Sequence, residues 1–423
     1  MDIFRIRGGR KLGGEWTVHT AKNAVLPIMA ASVLTSERTF LEDCPLLSDV
    51  EHMGEILRRL GCSVVRNRRT LEIDPQGMHS YEMPDGLAKK IRSSIFLLGP
   101  ILTRFHRAAV TFPGGCEIGL RPIDLHLSGL RQLGVQIREE CGVIHCEGSR
   151  MRAGSVHFDY PSVGATENVM MAAALLPGQS VLNNAAREPE IVDLQNFLNR
   201  MGAKVRGAGT HAIVIDGVTA LHGVEYRPMA DRIVAGTMLA AAAITGGTVC
   251  LHRVPAGDMH AVFSKLREMD CELTLSGDTA VISAPQRLNA FAQLQTQPHP
   301  GFPTDMQAQL LAMATVAKGT SVLVENVFEN RYGHAGDLNR MGADVLINGR
   351  TAVVKGVSGL YGSRVTARDL RGGAALALAG LKAGGETVIE QAQLIDRGYE
   401  QMETALSSLG AEIVREHITH EDT

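Results

Sequence analysis

Met201-Gly202-Ala203-Lys204-Val205 ends an amphipathic run and begins an alternating one, and the same pattern returns along the chain. Its other copies are Leu60-Gly61-Cys62-Ser63-Val64, Leu133-Gly134-Val135-Gln136-Ile137, Met269-Asp270-Cys271-Glu272-Leu273, Met341-Gly342-Ala343-Asp344-Val345 and Leu409-Gly410-Ala411-Glu412-Ile413. The second residues fall at 61, 134, 202, 270, 342 and 410, in steps of 73, 68, 68, 72 and 68, so one unit is written six times. Glycine after the last helical turn is a left-handed stop, and Asp270 is a tolerable substitute for it.

Working outward from the signature, each unit reads helix, strand, loop, helix, strand. Asn168 to Leu176 predicts a first helix, followed by a turn at Gly178-Gln179 and the strand Ser180-Val181-Leu182; Met306 to Ala317, Gly319 and Ser321 to Val324 repeat the order. These first helices, with runs such as Met170-Met171-Ala172-Ala173-Ala174 and Ala240-Ala241-Ala242-Ala243, have no polar face, and a helix apolar all round must be buried. The expected fold is therefore α/β (α+β): two inside-out α/β-barrel-like domains, each of three helix–sheet units with buried helices, and a cleft between them. Residues 22–229 form the inserted domain. Residues 1–21 with 230–423 form the discontinuous one, whose opening strand Ile3 to Arg7 joins the second half, and the change-over falls near Tyr226-Arg227-Pro228-Met229-Ala230.

The totals fit a soluble globular chain of 423 residues, 45% hydrophobic and 21% charged. A net charge of −3 gives no basic field for nucleic acid or a membrane surface, so any anion must be held locally. Seven scattered cysteines argue for a reducing compartment rather than a disulfide framework. Cys141 and Cys146 lie in period-2 apolar sequence and predict a strand, not a metal pair. The uncharged run Ile233 to Leu251 is broken by Gly246-Gly247 and reads as helix, turn and strand. With no signal-like opening, the expected location is cytoplasmic.

Chemistry concentrates in two places. Pro113-Gly114-Gly115-Cys116-Glu117-Ile118-Gly119-Leu120-Arg121-Pro122 is a loop that presents a thiol near a guanidinium, and backbone N–H groups with a neighbouring cation favour a reactive thiol. The starts of the buried helices carry Lys22-Asn23, Arg92, Thr166-Glu167-Asn168, Asp231-Arg232, Thr304-Asp305 and Asp369 with Arg371. Asp, Ser and Thr there are ordinary caps. Lys22, Arg92, Arg232 and Arg371 oppose the helix dipole, which suggests a compensating anion. Arg187 and Arg331 have acidic neighbours and pair with them equally well, whereas Arg121 and Arg397 lie beside glycines and, with Lys22, suit a small dianion. Asp305 as a base and Cys116 as an acid complete a coherent site. No Walker loop, GxGxxG or HExxH occurs, so nucleotide hydrolysis, nicotinamide chemistry and zinc proteolysis lack support.

AKNAVLP, PGGCEIGLRPIDLH, SVGATENVM, NAAREPEIVDL, GFPTDMQ, DLRGGAALALAGL and IDRGYE, in register from about residue 4 to 415, resemble the UDP-N-acetylglucosamine 1-carboxyvinyltransferases, which begin peptidoglycan synthesis. The resemblance implies that Cys116 protonates the methylene of phosphoenolpyruvate, which Lys22, Arg121 and Arg397 grip. Asn23, Thr304 and Asp305 would hold the amino sugar, with Asp305 as base toward its 3-hydroxyl. Arg92, Pro122, Ile123, Asp124, Leu125, Ser162, Val163, Gly164 and Val327 would line the uridine diphosphate site, and Arg331, Asp369 and Arg371 complete the substrate-binding set. The implied reaction is addition–elimination through a tetrahedral ketal, with neither metal nor organic cofactor and with two small-molecule substrates as partners. Three positions depart from the family pattern: Leu394 before Ile395, Val234 in place of a carboxylate, and Glu117 beside the thiol, where its charge would raise the thiol pKa. An enolpyruvyl transferase with another acceptor, or a weakly active nucleotide-sugar-binding paralogue with a regulatory role, are the competing readings.

Overall fold

The structure is a computed structural model that describes residues 1–111 and 123–418. Its contacts divide the chain into two compact units, one of residues 1–19 and 230–418, the other of residues 20–111 and 123–229. Each has its own apolar core.

All six signatures stop their helices as the sequence requires. Gly61, Gly134, Gly202, Gly342 and Gly410 have φ between 92° and 104°, and Asp270 adopts 66°. A residue there must leave the right-handed helix without a Cβ clash, which explains five glycines; Asp accepts the same region at modest cost.

In the first unit the inner helices are Arg232–Thr245, Gln307–Ala314 and Leu370–Lys382, and all three pack on one another. In the second unit Lys22–Ala31 and Val163–Ala173 pack with the third inner segment, a 3-10 turn Arg92–Leu97 that runs into Leu98–Phe105. Small residues let these axes approach: a Cβ added at Gly99 would lie 2.4 Å from the Asn168 carbonyl oxygen. Val163–Ala173 starts five residues before Asn168, where the sequence predicts its beginning, because Ser162 caps it by accepting from Ala165 N.

Three sheets wrap each set of helices. Among the described residues five sheets are four-stranded and the one containing Arg107–Thr111, Val143–Glu147 and Gln136–Glu140 is three-stranded. In Gln293–Gln295, Thr320–Val324, Thr351–Lys355 and Asp344–Asn348 the first pair is parallel and the rest antiparallel, and the other four-stranded sheets follow this order. The opening strand Asp2–Arg7 fills the equivalent third place in the last sheet, between Glu386–Glu390 and Glu412–His417. Cys146 lies in the strand Val143–Glu147, as the alternation predicts, whereas Cys141 falls outside the predicted strand, in the turn before it with a φ of 50°. The run from Ile233 becomes a helix, the left-handed Gly246 and the strand Thr248–His252. No helix among the described residues is long and apolar enough to cross a membrane.

Candidate active site

Cys116, Arg121 and Pro122 lie outside the described residues. The remaining candidates fall at the starts of inner helices or in loops beside them.

In the second unit Lys22 opens its helix, half-buried, with exposed Asn23 next to it. Lys22 Nζ donates to Asp49 Oδ2 at 3.1 Å, and Asp49 is buried in the first turn of Ser48–Arg59. Asp49 is thus one carboxylate that meets this cation within the protein. Arg92 begins the 3-10 turn, half-buried. Ile123, buried, immediately precedes the helix Asp124–Gln132; Asp124 is exposed and Leu125 half-buried. Ser162, Val163 and Gly164 form the half-buried start of their helix.

His126 and Asn168 organise this end of the unit. Asn168 Oδ1 accepts from Gly99 N at 2.6 Å, while Nδ2 donates to Ile95 O at 2.7 Å and lies 3.1 Å from His126 Nδ1. An amide donor on Nδ1 leaves the ring proton on Nε2. Burial, then the Arg92 charge, pushes the His126 pKa down to about 3, so the ring is neutral. A Cβ at Gly164 would come within 3.1 Å of Nε2, so glycine lets this helix start sit against the imidazole.

Glu167, on the same helix, is 1% exposed and neither carboxylate oxygen has a hydrogen-bond partner. Burial, with Glu190 and Glu188 nearby, holds its pKa well above the usual value. The folded chain thus keeps a proton that the unfolded chain releases above about 4.3, so this contribution to stability is intact below that pH and is lost as pH rises toward the folded value. Glu167→Gln should therefore gain on the parent by about 1.4 kcal/mol per pH unit within that window. Denaturant titrations at pH 5, 6.5 and 8 check this; a difference independent of pH would show that the carboxyl is ionised in the native state.

In the first unit Asp305 is the meeting point. It lies in the turn Thr304–Met306 that leads into Gln307–Ala314. Its Oδ1 accepts from Arg331 Nη2 at 2.5 Å and its Oδ2 from Arg371 Nη2 at 3.0 Å. The two arginines are 3% and 2% exposed. Arg331 does not pair with Glu329, the neighbour the sequence offers; Glu329 binds Arg350 instead, at 2.8 Å. Asp369 accepts from Arg371 N and Gly372 N and caps Leu370–Lys382, the ordinary reading of an acid at that place. The Arg371 guanidinium stands 5.1 Å from the Tyr399 ring centre. Arg397, half-buried, ends the turn Ala392–Arg397, two residues before Tyr399.

Two residues that hold this site carry no signal in a single sequence. Glu325, fully buried, accepts from Thr296 Oγ1, Thr304 Oγ1, Val327 N and Phe328 N at 2.8–3.1 Å, and so ties the Asp305 turn to the Val327 loop. Arg415 binds both oxygens of Asp396, both of Glu403 and Oδ2 of Asp2, at 2.5–3.2 Å, and so anchors the residue before Arg397.

This fold is shared with known enolpyruvyl transferases. The family model EPSP synthase (3-phosphoshikimate 1-carboxyvinyltransferase) matches residues 6–406. The enolpyruvyl transferase NikO from Streptomyces tendae shares the fold at a TM-score of 0.89, with 22% identity and 99% of both chains covered. An EPSP synthase from Acinetobacter baumannii aligns at 0.76 with 18% identity, over 99% of this chain and 100% of its own. UDP-N-acetylglucosamine 1-carboxyvinyltransferase 2 of Caldanaerobacter subterraneus is 50% identical over 98% of this chain and 100% of its own length. The Myxococcus xanthus enzyme of that name is 48% identical over the same shares. The chain belongs to the UDP-N-acetylglucosamine 1-carboxyvinyltransferase family.

Proposed function

We propose that the protein transfers the enolpyruvyl group of phosphoenolpyruvate to the 3-hydroxyl of UDP-N-acetylglucosamine, releasing phosphate, as the first committed step of peptidoglycan synthesis in the cytoplasm. The observation that carries this reading is Asp305, fixed by Arg331 and Arg371 in a chain half identical along its length to enzymes of that name. Asp305 takes the proton of the attacking hydroxyl. Cys116 delivers a proton to the methylene carbon, the ketal forms at C2, and loss of a C3 proton with the phosphate regenerates the enol ether. Lys22, Arg121 and Arg397 hold the carboxylate and phosphate of phosphoenolpyruvate. Asn23 and Thr304 orient the sugar, and Arg92, Ile123 to Leu125, Ser162 to Gly164 and Val327 take the nucleotide.

Phosphate should leave phosphoenolpyruvate only when UDP-N-acetylglucosamine is present, with a carboxyvinyl ether as co-product. Equal release with shikimate 3-phosphate, or none with the nucleotide sugar, would sink the assignment.

Arg415 gives a second expected outcome. Loosening the Asp396 anchor lets the Arg397 side chain sample other positions, so Arg415→Ala should raise the KM for phosphoenolpyruvate about tenfold, equivalent to about 1.4 kcal/mol. The KM for the nucleotide sugar should barely move. Parallel changes in both constants would mean general loosening of the unit instead.

A further inference from the structure

Away from the candidate active site, the outer face of one sheet gathers a carboxylate, a thiol and an imidazole. The strands Gly13–Thr17 and Thr248–His252 pair in parallel with Glu15 opposite Cys250. Val249 and Leu251 point into the core, so the pleat turns Cys250 and His252 to the other face, where they are partly exposed beside exposed Glu15. His252 Nε2 lies 3.0 Å from Glu15 Oε2 and 3.9 Å from Cys250 Sγ. One ligand atom from each residue falls within 4.8 Å of the other two.

These separations suit a shared ion. Tetrahedral zinc, with bonds of about 2.3 Å to sulfur and about 2.0 Å to nitrogen or oxygen, sets S and N about 3.5 Å apart and N and O about 3.3 Å apart. The Nε2–Sγ and Nε2–Oε2 separations differ from those values by about 0.4 Å and about 0.3 Å, while the Sγ and carboxylate oxygen lie within 4.8 Å of each other, and the exposed Glu15 side chain supplies the remaining adjustment. His252 Nδ1 is 3.4 Å from Thr279 Oγ1 on the next strand. In the metal-free protein Nε2–H donates to the Glu15 carboxylate; with metal bound the ring takes the other tautomer, Nδ1–H facing Thr279 Oγ1 and the Nε2 lone pair directed at the ion, so that an outer partner orients the bound histidine. A thiolate with an imidazole selects zinc-like ions over magnesium or calcium.

We propose that Glu15, Cys250 and His252 bind one zinc-type divalent ion, with water in the fourth position. Metal binding displaces the thiol proton to solvent and leaves no redox change. The ion would staple Gly13–Thr17, an edge strand with one neighbour in its sheet, onto Thr248–His252.

Cobalt(II) titration of the reduced, metal-free full-length protein tests this. A thiolate-to-cobalt charge-transfer band should saturate at one ion per chain, with quenching of Trp16, the single tryptophan and the neighbour of Glu15. Zinc should remove the band and raise the melting midpoint. The band should persist in Cys116→Ser, vanish in Cys250→Ser, and need at least about tenfold more metal in His252→Ala. Turnover by Cys250→Ser should match the parent, which reports that the variant is folded. Absence of the band, its survival in Cys250→Ser or its loss in Cys116→Ser would each overturn the proposal. If Cys250→Ser fails to fold, parent-like affinity in both His252→Ala and Glu15→Gln does so.

Discussion

Replacing Cys116 with alanine or serine should cut turnover by about 10²–10⁴-fold, the range for loss of a positioned acid. Protonating the methylene carbon is the step that makes C2 electrophilic, and an alcohol is too weak an acid to replace a thiol there. The buried thiols are not suited to take over. Burial pushes Cys44 up to about 11 and Cys62, Cys146 and Cys271 up to about 12, so these side chains are locked in the core as neutral thiols. Cys116→Asp should keep part of the activity, because a carboxylic acid can also deliver a proton. The measurement is phosphate release in a single turnover with both substrates, alongside melting midpoints to confirm folding. Parent-like turnover by Cys116→Ala would remove the thiol from the mechanism.

The architecture was legible because each repeat carries a local mark with one physical meaning. A left-handed stop after a helix is a backbone requirement, and six of them at near-equal spacing describe six copies of one unit. The repeat also encodes how the inner helices meet. Gly99 and Asn168 are 69 residues apart, Thr237 and Gln309 are 72 apart, and Asp305 and Arg371 are 66 apart, each close to one repeat step. Equivalent positions of the inner helices in successive units therefore face one another, which brings Asp305 and Arg371 together.

What the sequence did not disclose is who neutralises whom. Lys22 and Arg371 oppose their helix dipoles, and the sequence suggests a ligand anion there; the structure adds a carboxylate beside each, Asp49 and Asp305, that the sequence did not point to. Arg331 has a carboxylate two residues away and uses another 26 residues back, because its side chain points into the unit while Glu329 stays at the surface. Glu325 and Arg415 were invisible for a related reason. Their value lies in partners from several loops, the Arg415 contact to Asp2 spanning 413 residues, and neither periodicity nor spacing records such a convergence.

The Asp305 clamp yields the other large effect, and stability and turnover separate its two roles. Asp305→Ala should lower kcat by about 10²–10⁴-fold, through loss of the base toward the sugar hydroxyl. It also strips the carboxylate from two guanidinium groups that are almost fully buried, so the folded state should lose about 3 kcal/mol, the lower end for breaking a buried pair, because the Asp305 side chain is itself 26% exposed. Asp305→Asn keeps an oxygen for one arginine but turns an amide N–H₂ toward the other. It should lose as much turnover as the alanine variant and less stability. Denaturant unfolding and steady-state kinetics on both variants check the pair of outcomes. If Asp305→Asn works at the parent rate while Asp305→Ala is merely less stable, the carboxylate serves only to hold Arg331 and Arg371, and the base must be sought elsewhere.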